Sequence, residues 1–295
     1  MDASGLCEPA VARVLARAEL AYLAVEVGGA PHVTPVLFAA AHDRLWFALA
    51  RSTLKARAIA RRPQVGVLAE DGSAAATIAG TATVLDPARP ADLAAVAPEL
   101  ARAPFAAPWF GLQNARELAG FARDAVAEPG RLSPAGLVLV AVEAGAVELT
   151  RRPPAARAGG GPSVRSDWKK ALERVPAPAA ELARRRGPAV LGWVTPSGPL
   201  AVPAAWDGDR ARVRWSALAP FDAAPAGPAA LCLDATSGAG PRAKTGLLLR
   251  GHARANGRGE LRTVALSPRR VTYWRGFETG TVDAAPAAVS GARAA

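Results

Sequence analysis

The chain has 295 residues, half of them apolar, which is enough for two domains that each bury a core. Cys7, Cys232, His32, His42 and His252 are too few and too scattered for a disulfide framework or a metal centre. The net charge of +11 suits an anionic small-molecule partner, but Arg is spread along the whole chain without a nucleic-acid-binding signature, so nucleic acid is not expected.

No run approaches the roughly 18 apolar residues of a membrane span. The N-terminus carries Asp2 and no apolar core of signal-peptide type, so a cytoplasmic protein with no membrane partner is expected. In chain order, Val11, Val14 and Leu15 lie at helical spacing within residues 8–19. A short apolar run at 20–26 ends at Gly28-Gly29 and is followed by a second run at 32–39, a hairpin pattern. The polar turn at 42–44 leads to a strand at 45–49, a helix at 53–62, and strands at 64–69 and 76–84. An insertion at about 87–128 carries helical stretches at 90–102 and 112–127, and an alternating apolar run at 142–149 closes the half. Residues 151–166, rich in Pro and holding Gly159 to Gly161, read as a linker. Strands at 189–194, 200–206, 211–216, 229–234, 246–255 and 266–273 follow, and 284–295 read as a frayed tail.

The second series repeats the first. Ala21, Leu23, Pro31 and Pro35 recur as Ala189, Leu191, Pro199 and Pro203, all at a spacing of 168, and Phe38/Trp206, Arg44/Arg212 and Phe47/Trp215 extend the match. The spacing becomes 165 at Pro63/Pro228, and Gly80 falls opposite Gly251. The expected fold is therefore mainly β: two tandem β-barrels with flanking helices, spanning 1–150 and 167–283.

The junction from Phe47 to Pro63 carries the most chemistry. Ser52 and Thr53 are N-cap residue types, and Lys55 and Arg57 then fall in the first turns, where the helix dipole disfavours cations. An anion there would meet free N–H groups, a hydroxyl and an ammonium together; the alternative is an exposed cap with solvated basic residues. The equivalent segment of the second half, 219–228, holds Asp222 and three prolines and cannot build the same helix or attract a phosphate. Only the first half is therefore expected to hold the anion.

These segments, with Pro31 to Phe38, Ser52 to Arg57 and the run from Gly80, resemble the pyridoxamine 5′-phosphate oxidase-like split-barrel flavoproteins over residues 8–86, and more weakly over 185–280. The resemblance implies a split β-barrel of the flavin-binding type, with Val33, Thr34, Pro35, Val36 and Phe38 lining an isoalloxazine ring. It implies that Ser52, Thr53 and Lys55 hold the cofactor phosphate. The family's Ser-Arg-Lys triplet reads Thr53-Leu54-Lys55 here, leaving Arg51 or Arg57 to stand in for the missing Arg. It further implies that Trp274, contributed by a partner barrel in family dimers, approaches the cofactor from the second half of this chain, as an intramolecular pseudo-dimer or in a homodimer.

The expected function is that of an FMN-binding, flavin-dependent oxidoreductase acting on a small molecule, with no catalytic side chain assigned and no metal site. The alternatives are a reductase using the deazaflavin coenzyme F-420, and a non-enzymatic flavin- or haem-binding module with His252 as a candidate haem ligand. Trp46, Trp193, Trp206 and Trp215 are read as strand residues of the cores, and His32 as a strand residue facing solvent. Trp109, Phe110 and Trp168 either cover a pocket or simply pack.

Overall fold

The computed structural model describes residues 3–86, 88, 97–128, 136–154 and 168–284. The linker glycines, the C-terminal tail and the beginning of the first insertion helix lie outside them. In the first half, α1 (Pro9–Arg17) buries Val11, Val14 and Leu15, and the strands β1 (Ala21–Val27) and β2 (Ala30–Val36) form the predicted hairpin. Gly28 and Gly29 both take positive φ, which the two-residue turn of a twisted hairpin requires. Then come β3 (Phe38–Ala41), β4 (Arg44–Ala50), α2 (Leu54–Arg61), β5 (Gln64–Glu70), β6 (Ala75–Leu85), α3 (Ala97–Gln113), α4 (Ala115–Ala127) and β7 (Leu137–Thr150). The second half holds α5 (Trp168–Ala171), α6 (Ala177–Arg184), β8 (Gly187–Thr195), β9 (Gly198–Trp206), β10 (Ala211–Arg214), β11 (Ala226–Thr236), β12 (Lys244–Asn256), β13 (Leu261–Arg275) and β14 (Glu278–Asp283). No described helix is long and apolar enough to cross a membrane.

Two antiparallel seven-stranded sheets result, ordered β2-β1-β5-β6-β7-β4-β3 and β10-β9-β8-β11-β12-β13-β14. The outer strands of the first sheet, β2 and β3, are consecutive in the chain and meet at Leu37, so this sheet curls into a barrel with a split. The second closes through an added β10–β13 pairing. The fold is a mainly-β split barrel with flanking helices.

The registers show which sequence matches are structural. Leu23 lies opposite Thr34 and Leu191 opposite Val202, keeping the spacing of 168 on both strands. The bulge at Ala79/Gly80 has its counterpart at Arg250/Gly251. The next strand departs from the expected alignment: Leu23 faces Val67 while Leu191 faces Leu231, a spacing of 164 where Pro63/Pro228 suggested 165. One residue decides which face a side chain takes. Val67 and Leu231 point into their own cores, whereas Leu68 and Cys232 point to the junction between the barrels. The Arg44/Arg212 and Phe47/Trp215 matches also have no structural counterpart, because the second hairpin is shorter: Phe38 pairs with Phe47, but Trp206 pairs with Ala211. The expected strand at 211–216 accordingly ends at Arg214. Trp215 occupies a short turn, half-buried, edge-on to Trp193 and beneath the Arg262 guanidinium.

Each barrel has its own core. Phe38, Leu45, Phe47 and Val67 lie in the first, Trp193, Trp206, Leu231 and Leu249 in the second. Trp46 faces outward from β4 and is buried beneath Ala103 and Ala106 of α3. A third buried cluster joins the barrels: Ala24, Val33 and Leu68 meet Val190, Ala201, Ala230, Cys232 and Leu248. The contacts are two-fold in character, β5 against β9 matching β11 against β2. Polar groups fasten this junction. Tyr22 donates to Asp234 at 2.9 Å, and Arg152 donates to the carbonyls of Ala189 and Ala204 while pairing with Glu70. From α4, Glu117 and Asp124 accept the backbone N–H groups of Gly240 and Arg242.

Candidate functional site

Three elements converge where the first barrel is split: the outer edge of β2, the start of α2 and the second barrel. Thr53 caps α2 as its residue type predicts. Its hydroxyl accepts from the N–H of Ala56 at 3.3 Å and donates to the carbonyl of Ala50 at 2.7 Å. Ser52 beside it is exposed. Lys55 turns inward from the first turn and is 5% exposed, and its Nζ donates to the carbonyl of Thr34 at 2.9 Å. Burial pulls its pKa down to about 7, against an opposing influence from Cys232 across the junction. A neutral carbonyl offsets little of the desolvation of an ammonium, so this amine is short of an anionic partner.

His32 lies next to this group. Expected on a solvent face, it is half-buried instead, with Nδ1 fully covered and, among the described residues, without a hydrogen-bond partner. Burial, then the positive fields of Lys55 and Arg250, lower its pKa to about 3, so the ring is neutral across the physiological range. The overturning factor is tertiary: Arg250 belongs to the second barrel, which a strand pattern in the first half cannot show.

The other candidate residues are distributed around the split. Val33 faces the second barrel within the joining cluster, and Pro35 and Val36 are half-buried on β2. Phe38 points into the core of the first barrel, away from the junction. Arg51 is paired with Asp86 at 2.6 Å. Arg57 lines a cavity of about 350 Å3 on the outer side of α2, together with Leu54, Arg61 and Arg62. Trp274 reaches the joining cluster from β13, packing over the backbone of Gly246 where no side chain could fit. Lys55, Thr34, Val33 and Trp274 are thus brought to one junction, while Phe38, Arg51 and Arg57 are directed elsewhere. Trp109 is exposed on α3, and Trp168 is buried in the core cluster of the second barrel.

Sequence reasoning missed Tyr22, Asp234, Cys232 and Arg250. One signal was present: β1 reads Ala-Tyr-Leu-Ala-Val, apolar on both faces, as strands buried on two sides do.

Residues 7–117 match the family model described as pyridoxamine 5′-phosphate oxidase. No curated protein matches the chain. Among solved structures, a conserved hypothetical protein from Mycobacterium tuberculosis is 19% identical, over 52% of this chain and 92% of its own, with a TM-score of 0.35. An FAD-binding protein from Mesorhizobium loti is 14% identical over 47% and 89%, at 0.34. General stress protein 26 from Bacillus anthracis is 14% identical over 50% and 98%, at 0.32. At such scores these likenesses carry no part of the functional reading.

Proposed function

Because residues 7–117 match the pyridoxamine 5′-phosphate oxidase family, we propose that this chain binds a flavin nucleotide, FMN, at the split of its first barrel and serves as a flavin-dependent oxidoreductase. The observation that carries this reading is the Lys55 ammonium, buried beside β2 with, among the described residues, only the Thr34 carbonyl for a partner. The cofactor phosphate supplies the missing anion, which also restores the amine to its charged form at neutral pH. The first-turn N–H groups of α2 and the Ser52 hydroxyl lie beside the same helix end. Thr53 serves by shaping that end, since its hydroxyl already holds Ala50 and Ala56.

A bound flavin supplies hydride chemistry, which needs no protein nucleophile or acid–base pair. The protein's part is to bind and to exclude water. Trp274, partly buried beside the joining cluster, offers an apolar wall from the second barrel, while Val33 is sealed within that cluster; neutral His32 adds no competing charge. Phe38 and Arg51 have no place in this arrangement, the first because it fills the core and the second because Asp86 already holds it. The two barrels are read as diverged tandem copies, 1–150 and 167–283, of which only the first keeps the helix that receives the phosphate. The second has a short turn at Ala219–Phe221 there, followed by Asp222.

Titration with FMN, followed by flavin fluorescence, tests the proposal. The wild type is expected to bind, and Lys55→Ala to weaken binding by about 1.5–3 kcal/mol, the usual worth of a charged hydrogen bond. A wild type that binds neither FMN nor a deazaflavin would remove the redox reading, and unchanged affinity in Lys55→Ala would remove the phosphate assignment.

A further inference from the structure

On the far side of His32 from Lys55, a cavity of about 450 Å3 lies between the barrels, walled by Gly28 and Gly29 of the first and by Arg250, Arg269, Arg270 and Asp283 of the second. Three features of the strands bring the arginines together. Arg250 and Arg270 are direct cross-strand partners, a like-charge pairing that costs stability when unrelieved. Arg269 is the extra residue of the bulge between β12 and β13, where two successive side chains can be re-aimed to the same side. Asp283 is the register partner of Arg270 and pairs with it at 2.8 Å. Three guanidinium groups against one carboxylate leave an excess of two positive charges among these side chains.

Arg250 is the inner member. It donates to the carbonyl of Val27 at 2.8 Å, while its Nε is covered and, among the described residues, without a partner. Burial and the neighbouring Arg270 both work against its charge. The first barrel provides an internal comparison. Its equivalent bulge places Ala79, Gly145 and Ala146 where the second barrel has Arg250, Arg269 and Arg270. The bulge is part of the fold, but the basic cluster belongs to the second barrel alone. On the opposite wall Gly28 and Gly29 add no side chain, and even a Cβ at either would meet nothing within 4 Å.

We propose that this cleft binds a small molecule through a doubly charged oxyanion, of the phosphate monoester class, held by Arg250, Arg269 and Arg270. Guanidinium groups present paired N–H donors that match phosphate oxygens, and a dianion neutralises the excess charge.

The test uses inorganic phosphate and phenyl phosphate as probes in calorimetric titrations at constant ionic strength, with chloride as the balancing salt. Both are expected to bind saturably, at least tenfold more weakly to Arg269→Gln/Arg270→Gln, and several-fold more tightly to Asp283→Asn. Arg258→Gln, an exposed change outside the cleft, is expected to leave the affinity unchanged. Absence of saturable binding, or equal affinity in the double variant, overturns the proposal; loss of binding in Lys55→Ala instead moves the anion to the α2 site and overturns it too. No flavin is used, so failure of the cofactor reading is read separately from the FMN titration.

Discussion

Tyr22 and Asp234, 212 residues apart, share a hydrogen bond of 2.9 Å across the junction of the two barrels. The phenol sits on the outward face of β1, and the carboxylate at the end of β11 opposite Gly246. Burial raises the pKa of Asp234, and the bond from Tyr22 opposes that rise. Each barrel therefore completes a polar group that the other buries.

Removing this donor tests how tightly the barrels are coupled. Tyr22→Phe is expected to lower stability by about 1.5–3 kcal/mol, the range for a hydrogen bond to a charged group. Urea denaturation of Tyr22→Phe, Asp234→Ala and the double variant measures it. A double variant whose loss equals the sum of the single losses would show that the two residues are not coupled.

Backbone packing offers an independent probe of the same junction. A Cβ at Gly66 of β5 would lie 2.5 Å from the carbonyl oxygen of Pro199 and 2.6 Å from Leu200 Cα on β9. Neither is a flexible side-chain end, so Gly66→Ala forces the barrels apart at a cost of about 1–3 kcal/mol, as overpacking does. Because each barrel keeps its own core, calorimetry should show one unfolding transition broadening or dividing into two. A wild-type thermogram would contradict the close approach.

The Lys55 amine predicts a pH dependence. Its pKa is lowered to about 7 in the folded protein from an ordinary 10.5, so above pH 7 the unfolded chain binds more protons at this site. Stability contributed by this residue therefore rises with pH from about 7 to 10.5, with a limiting slope of about 1.4 kcal/mol per pH unit. Denaturation at pH 7, 8 and 9 in the absence of ligand should show the rise in the wild type and its loss in Lys55→Met. Identical profiles would place Lys55 in contact with water.

His32 acts in a lower window. Its pKa falls from 6.5 to about 3 on folding, so between these values the unfolded state binds the extra proton and stability drops as the solution is acidified. His32→Gln is expected to flatten the stability profile between pH 6.5 and 4 relative to the wild type. Direct titration of the ring by NMR would give a mid-point well below 5, and one near 6.5 would refute the burial.

Most of the secondary structure was legible because its causes are local. Apolar alternation marks the strands, Gly28-Gly29 closes the first hairpin, and Thr53 caps α2 within one residue of the expected start. The repeat was legible wherever loop lengths agree, and it failed where they do not. The slip at Pro63/Pro228 and the shortened hairpin before Ala211 leave composition nearly unchanged while moving every partner.

By itself, then, the sequence determined the succession of most strands along the chain, the capped helix after β4 and the absence of that helix from the second half, because each depends on dihedral preferences and periodicity within a few residues. Tertiary structure alone decided that Phe38 fills a core, that Asp86 holds Arg51, and that His32 is covered. It also decided that three arginines meet at one bulge facing another barrel's glycines. Those outcomes depend on which strand of the second barrel lies against which strand of the first. Such pairings join residues up to more than two hundred positions apart, and no local preference encodes them.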